Sequence, residues 1–261
     1  MKKYLISETL KTKRTMLRKL TIFIPILSVA LASIFGYLGG DIKSADITSI
    51  NHWSLLWLPA LISLLTGMFH KLEQNSTGYK TIFSFPINLR KSWISKIILL
   101  SLFTLVSSIF LGILILILNF TIIKASTNGI LIMGQHLSIV SFYNYFIAII
   151  ISWLVSLWQI PLCLWLSKKI NFFVLLFITC AANLELGAGK AASSLWWMNP
   201  WTWPLRLQCP LLHLHPNCLP LESNSALLNS EVIPIGILLG VFLFLILTFL
   251  TSFSFRRSEV H

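Results

Sequence analysis

Two cysteines and two histidines share one ten-residue stretch of the chain: Cys209, His213, His215 and Cys218. Two thiolates and two imidazoles are ligand types of a tetrahedral zinc site, but the C-x3-H-x-H-x2-C spacing is not that of a familiar zinc finger. Pro210 and Pro216 also stiffen the segment. A Cys209–Cys218 disulfide is an alternative, because an oxidising compartment permits one. The favoured prediction is plain loop residues and no metal site.

The stretch from Leu184 to Ala191, LELGAGKA, has only a superficial likeness to a phosphate-binding loop. That loop requires G-x-x-x-x-G-K-[ST], because glycine amides cradle the phosphates and the hydroxyl binds Mg²⁺. Leu184 stands where the first glycine is needed, and Ala191 replaces the hydroxyl. We therefore predict a helix C-terminus with glycine caps, and we expect the chain itself to bind no cofactor.

Glu185 lies near the end of an apolar run, and a carboxylate inside a membrane is costly enough to be a functional candidate. A carboxylate that reaches water or pairs with Lys190 is favoured over a proton relay, because water is near. The sequence has no credible Ser/His/Asp set, no HExxH motif and no paired carboxylates within its apolar runs. We therefore expect no catalysis.

Four tryptophans follow closely around Asn199 and Pro200: Trp196, Trp197, Trp201 and Trp203. Tryptophan collects at membrane interfaces because its ring is amphipathic. The favoured prediction is an interfacial anchor or a short re-entrant helix. The sharper hypothesis is a surface that contacts an amphipathic or lipid-bound substrate, with Glu185 nearby.

The composition identifies the elements that must position these residues. Hydrophobic residues make up 56% of the 261 residues and charged residues only 11%, with a mean hydropathy of +0.82. Soluble domains carry about 25% charged residues, so this chain cannot cover a water-facing surface. Several apolar runs exceed the roughly 18–20 residues that cross a bilayer. We predict an all-α polytopic membrane protein, and we exclude soluble enzymes, disordered chains and fibrous proteins.

Six helical spans are predicted within one transmembrane domain over residues 1–261. The third, fourth and sixth are long and unbroken in the sequence, the second holds Pro59, and the fifth is the weakest. Their approximate bounds are 20–38, 53–69, 97–122, 143–166, 172–186 and 232–255. They leave two larger segments, 70–96 and 187–231, outside the apolar runs.

The positive charges predict how these spans are oriented. Of the 20 Lys and Arg residues, 16 lie in the N-terminal segment, the second-to-third loop, the fourth-to-fifth loop and the C-terminal tail. The other four lie in the alternate loops. Because cytoplasmic loops are enriched in Lys and Arg, we expect both termini and the 70–96 segment in the cytoplasm, and the 187–231 segment outside. The formal net charge of +12 then reflects topology and contact with anionic lipid rather than nucleic-acid binding.

The 70–96 segment reads as a short amphipathic piece along the inner face. Apolar residues, among them Phe83 and Phe85, lie between basic residues, and Pro86 ends one element and begins another. Such a piece suits a partner contact as well as a lipid contact.

This segment resembles the first cytoplasmic loop of type-2 ABC exporter permeases. In that loop an acidic residue, a glycine and an apolar-Pro-x-x-basic stretch precede the next span. The matching positions here are Glu73, Gly78, Phe83, Pro86, Arg90 and Lys96. The N-terminal stretch from Ser7 to Thr15 is similar to the opening amphipathic helix of the same group.

A narrower resemblance is to the permeases that protect producer cells against lantibiotics, of the MutE/EpiE type rather than the MutG type. It rests on the Trp197–Arg206 segment, on Cys209 and His215-Pro216-Asn217, and on the tail from Ser252 to Glu259.

The resemblance implies a transport subunit without its own ATPase, in the cell membrane of a Gram-positive bacterium. The implied partners are a second related permease and two copies of an ATP-binding subunit, which would carry ATP and Mg²⁺; the implied substrate is a lantibiotic peptide. The implied coupling residues are Glu73, Gly78, Lys80, Phe83, Phe85, Pro86, Arg90 and Lys91. Two alternatives stay open: an ABC-2 permease for a drug, lipid or polysaccharide, and a membrane scaffold or sensor without a transport cycle.

Overall fold

The structure, a computed structural model, describes residues 1–39, 45–77, 88–127 and 139–257. Ten α-helices, two π-helical turns and two short 3-10 turns make up nearly all of this part. Its β-structure is a single bridge between Leu214 and Pro220. The prediction of a helical membrane protein is thus confirmed for the described residues.

The chain begins with a short helix followed by the first long apolar one. α1 covers Lys2–Lys11, and α2 covers Met16–Leu38. Seven basic residues precede the apolar part of α2. In α2 the buried residues, such as Leu17 and Ala32, lie on one side, whereas large apolar residues such as Phe23 and Phe35 are exposed. An exposed apolar face is what a lipid-facing helix requires.

The second long element is interrupted near Pro59. α3 covers Ala45–His52, a π-helical turn covers Trp53–Trp57, and α4 covers Leu58–Thr77. Pro59 has no N–H for the carbonyl of Leu55. The turn before it widens, and the Leu58 N–H bonds the carbonyl of Trp53, five residues back.

The third long element, α5, covers Leu89–Thr127. It begins eight residues before the predicted third span because the side-chain oxygen of Asn88 accepts a hydrogen bond from the Lys91 N–H, as an N-cap residue does. The first two turns of α5 therefore belong to the 70–96 segment.

The fourth element is bent, so the prediction of an unbroken helix over 143–166 is wrong. α6 covers Ile139–Ser156, α7 covers Gln159–Leu166, and Tyr143–Ser156 meets Gln159–Leu166 at 44°. Pro161 offers no N–H to the carbonyl of Leu157, which instead accepts a 3.0 Å hydrogen bond from the Ile160 N–H. A proline breaks the helical bonding in this way.

The remaining elements are α8, α9 and α10. α8 covers Phe172–Ala182 and continues as a π-helical turn over Asn183–Ala188, α9 covers Trp203–Leu212, and α10 covers Val232–Arg257. α9 lies inside the predicted 187–231 loop, yet nine of its ten residues are buried. It packs most extensively against α6, and α10 packs against α5, α6 and α7.

Among the described residues, four helices are long and apolar enough to cross a membrane: Met16–Leu38, Ala45–Asn75, Leu89–Phe120 and Val232–Phe255. The bent pair makes a fifth. The predicted fifth span corresponds to the apolar helix Phe172–Ala188, which is shorter than these. The six-span count therefore stays a prediction.

Candidate coupling and substrate sites

Three helices meet at one end of the bundle through ion pairs, of which Lys96–Glu73 is buried and the two made by Lys11 are partly exposed. Glu73, near the end of α4, accepts a 2.6 Å hydrogen bond from Lys96 of α5 and a 3.3 Å hydrogen bond from Lys11 of α1. Lys11 also donates to Glu8, at 3.0 Å. Lys96 is fully buried, and Glu8 and Glu73 are nearly so. We call Glu8, Lys11, Glu73 and Lys96 the ionic junction, and the end that holds it the α1 end.

Burial and neighbouring charges shift the pKa values of Glu8 and Lys11, the two residues of the ionic junction that lie in α1. It raises the pKa of the Glu8 carboxyl, against the opposing effect of Lys96 and Lys11. Burial also acts to lower the pKa of Lys11, but the carboxylates of Glu8 and Glu73 outweigh it, so the net pKa is raised. Lys11 therefore stays charged and holds α1 against α4.

Aromatic rings surround the cations of the ionic junction. The ring of Trp93 stacks on that of Phe255 with 4.6 Å between centroids. The Nζ atoms of Lys96 and Lys168 lie 5.2 and 4.6 Å from the Phe255 centroid. Burial lowers the pKa of Lys168, and the nearby Lys96 lowers it further. These cation–π contacts connect α5, the end of α7 and the last turns of α10.

The predicted coupling residues differ in accessibility. Glu73 is buried in the ionic junction, whereas Lys91 is exposed. Arg90 lies between these extremes, with its guanidinium 5.2 Å from the ring centroid of Phe253. The other five predicted coupling residues, Gly78, Lys80, Phe83, Phe85 and Pro86, lie outside the described residues.

Glu8, Lys11 and Lys168 were not predicted as site residues, although Glu8 pairs with Lys11 and Lys168 lies over the Phe255 ring. Glu8 is the only acidic residue of α1 and the only one that lies buried there, while Ile6 and Leu10 are exposed. A carboxylate within a strongly basic segment was the available signal, because it needs a cation close in space. The partner of Lys11 in α4 is Glu73, 62 residues away in the chain, which could not be identified without the fold.

At the opposite end, most of the four tryptophans pack inward. Trp196 and Trp203 are buried in a cluster with Trp158 and Leu207, and Trp201 is half-buried with its ring edge against Trp158, 4.6 Å between centroids. The Trp203 Nε1–H donates to the carbonyl of Trp197 at 3.2 Å.

Trp197 is the most exposed of the four, at 48%, and its neighbours Leu195 and Met198 are exposed at 60% and 63%. We call Leu195, Trp197 and Met198 the exposed apolar surface. The chain around it is held by hydrogen bonds: the Asn199 amide donates to the carbonyl of Leu186, and the Thr202 hydroxyl to the carbonyl of Trp196, at 2.8 and 2.7 Å. The buried rings thus support the exposed one.

Glu185 is exposed within the π-helical turn 183–188. Glu185 and Lys190, both in the described part of the chain, do not form an ion pair with each other. The exposure of Glu185 fits the other predicted alternative, a carboxylate that reaches water.

Cys209, His213, His215 and Cys218 do not form a metal-ligand group in the described part of the chain. Cys209 is buried in α9, where its thiol donates to the carbonyl of Leu205, and burial raises its pKa to about 11. His215 lies in the turn after α9, with its Nδ1 2.7 Å from the Asn217 side-chain oxygen. Both Cys209 and Cys218 are free thiols. Among the described residues, no three His, Cys, Asp or Glu side chains form a group that could hold a metal ion.

Over the described ranges, four long apolar helices, and a fifth if the bent pair is one span, are the elements of a polytopic membrane protein. The sequence model of the ABC-2 family transporter proteins matches residues 4–182, more than two thirds of the chain. The chain belongs to this family. It is therefore the membrane permease of an ATP-binding cassette (ABC) exporter, a transport subunit, and membership implies assembly with an ATP-binding subunit. No curated protein and no solved structure matches it.

Proposed function

We propose that this chain is the permease of an ABC exporter that expels a lantibiotic from the membrane and so protects the producing cell. The observation that carries the proposal is the exposed apolar surface at the end opposite the ionic junction. It offers an aromatic contact at the membrane boundary to an amphipathic peptide, on a segment that resembles the lantibiotic-protection permeases.

The orientation follows from charge. The basic residues of α1, of the start of α5 and of the α7–α8 connection lie at the α1 end, and cytoplasmic loops are enriched in such residues. We therefore place the α1 end in the cytoplasm, with both termini there and with Phe172–Ala188 as the fifth of six spans of a single transmembrane domain. The exposed apolar surface then faces the outer leaflet of the cell membrane of a Gram-positive bacterium.

The ATP-binding subunit docks on segment 70–96, at the α1 end. Lys91 is exposed there, and its helix α5 connects through Lys96 and Glu73 to α4 and α1. A movement of the docked subunit would therefore reach three helices at once. ATP and Mg²⁺ bind to two copies of this subunit, and a second related permease completes the transporter.

The substrate contact is assigned to Trp197 because the buried tryptophans serve another purpose. Trp196 and Trp203 hold the segment together, so their substitution would disturb the fold before it disturbed a substrate. An exposed indole offers a lantibiotic apolar area and one N–H donor. Glu185 and Asn199 are secondary candidates at the same end.

The test is the sensitivity of cells that carry variants of this chain with its partner subunits. Trp197→Ala should lower protection against a panel of purified lantibiotics several-fold, at equal amounts of membrane-inserted protein. Leu219→Ala is the matched control, because Leu219 is 61% exposed at the same end but outside the tryptophan segment. Unchanged resistance in the Trp197→Ala cells would remove this surface from the substrate path. Deletion of the chain without loss of resistance to any lantibiotic would overturn the function itself.

A further inference from the structure

Five buried polar side chains lie inside the apolar bundle, near the bend between α6 and α7, and Gln208 bonds two of them, Ser54 and Ser152. Ser54, Ser152, Ser156, Gln159 and Gln208 are all at most 3% exposed. Ser152 and Ser156, four residues apart in α6, share one face of that helix, and Gln159 begins α7 directly after the bend. We call these five residues the polar seam.

The hydrogen bonds of Gln208 leave its carbonyl oxygen without a donor. The Gln208 side-chain N–H₂ donates to the hydroxyl oxygens of Ser54 and Ser152. Both hydroxyls donate to carbonyls of their own helices, at 3.2 and 2.7 Å. Neither has a second hydrogen to offer. Gln208 Oε1 is buried and has no hydrogen-bond partner in the described part of the chain.

The other two residues of the polar seam are even less satisfied. Both amide atoms of Gln159 and the Ser156 hydroxyl are buried, and none of them has a hydrogen-bond partner among the described residues. The same holds for the indole nitrogen of Trp158, which lies between them in the chain. These three residues lie at the break between α6 and α7.

A buried polar group without a hydrogen-bond partner destabilises the folded state, and the polar seam contains four such atoms. The unsatisfied set combines acceptors and donors, and no residue of the polar seam is ionisable. A matching ligand is therefore a small neutral molecule that both donates and accepts hydrogen bonds. An ion would need a countercharge in this interior.

We propose that the polar seam is an internal hydration site, in which water molecules bridge Gln208 Oε1, the Ser156 hydroxyl and the Gln159 amide. Buried water typically makes about three hydrogen bonds to otherwise unsatisfied polar groups. Water in this position also accounts for a broken helix at membrane depth, since irregular backbone is tolerated there when water or protein satisfies it. The proposal stands independently of the exported substrate.

Hydroxyl-radical footprinting by X-ray radiolysis of the full chain in lipid nanodiscs, read by mass spectrometry, tests the site. Radicals form from bound water, so a buried side chain beside such water is oxidised while an equally buried dry one is not. Trp158 should be oxidised several-fold faster than Trp93. The two are matched, because they are 3% and 1% exposed, and the Trp93 indole N–H is satisfied by Thr251 at 3.0 Å.

The variant that removes the site is Ser156→Ala combined with Gln159→Leu. It should lower the oxidation rate of Trp158 to that of Trp93 and leave the Trp93 rate unchanged. Equal, slow oxidation of the two tryptophans in the unsubstituted protein would overturn the proposal, and this comparison needs no variant. Fast oxidation of Trp158 that survives the double substitution in a folded protein would also overturn it.

Discussion

At the scale of single residues, Glu73 stands out as a buried acidic side chain with partners on two other helices. Its carboxylate is buried at the boundary of the apolar bundle and is bonded by lysines from two other helices. Removing one partner of a buried ion pair is costly because the remaining charge keeps its desolvation penalty, whereas replacing both partners with apolar groups can be nearly neutral.

A double-mutant cycle at Glu73 and Lys96 checks this assignment. Glu73→Leu should destabilise the protein by about 3–5 kcal/mol, because Lys96 then loses its carboxylate partner while fully buried. Lys96→Met should cost less, since Lys11 still bonds Glu73. The double variant should be more stable than Glu73→Leu alone. Thermal unfolding in detergent measures all three, and strictly additive losses would show that the two residues do not interact.

The pKa of Glu8 gives this junction a pH dependence. Burial raises the pKa of Glu8 in the folded protein above its value in the unfolded chain. Protonation of Glu8 therefore contributes to the free energy of unfolding at low pH, and this contribution is lost as the pH rises through the folded-state pKa. The same substitution series can include Glu8→Gln, which removes this titration while Lys11 keeps its bond to Glu73.

At the scale of elements, the fold depends on close approach between helices. A Cβ on Gly240 of α10 would lie 3.0 Å from the Cα of Val155 in α6, which is backbone and cannot rotate away. A Cβ on Gly112 of α5 would lie 3.1 Å from the ring of Phe146. That ring is 41% exposed and free to shift.

Gly240→Ala should therefore destabilise the protein by about 1–3 kcal/mol, the usual cost of overpacking. Gly112→Ala is the matched control and should be neutral or slightly stabilising, because alanine is favoured over glycine in a helix by about 1 kcal/mol. The measurement is the melting temperature of each variant, compared with that of the unsubstituted protein. Equal melting temperatures would mean that α10 does not approach α6 as closely as described.

The elements also show what a sequence can predict. Long apolar runs predicted the positions of α2, α5 and α10, because burial in lipid leaves a signal of composition alone. The bend at Pro161 was missed, since proline is tolerated in membrane helices with and without a break. α9 was not predicted, because its segment is too short for a membrane span. It also carries Arg206 and Gln208, whose burial depends on partners outside α9.

The same limit applies to the candidate sites. Segment 70–96 could be singled out from its pattern, but the ionic junction joins it to α1 through a contact between residues 62 positions apart. The four tryptophans could be identified as a group, but only the packing around Trp158 distinguishes Trp197 from the three that support it.

At the scale of the whole molecule, the two ends of the bundle differ in chemistry. The α1 end gathers basic residues from separate segments around the ionic junction and connects α1, α4, α5, α7 and α10. The opposite end presents the exposed apolar surface on a buried aromatic support. An exporter subunit needs this division, because energy must enter from a cytoplasmic partner and the substrate must leave on the other side.

The most direct test of the account is the identity of the proteins that copurify with the tagged chain from native membranes. We predict that an ATP-binding subunit with a G-x-x-x-x-G-K-[ST] motif copurifies with the unsubstituted chain. Arg90→Glu combined with Lys91→Glu should release it or abolish its coupling to transport, whereas Lys19→Glu, the reversal of another exposed charge at the α1 end, should not. Intact, membrane-inserted chain that purifies without any ATP-binding subunit would contradict the account.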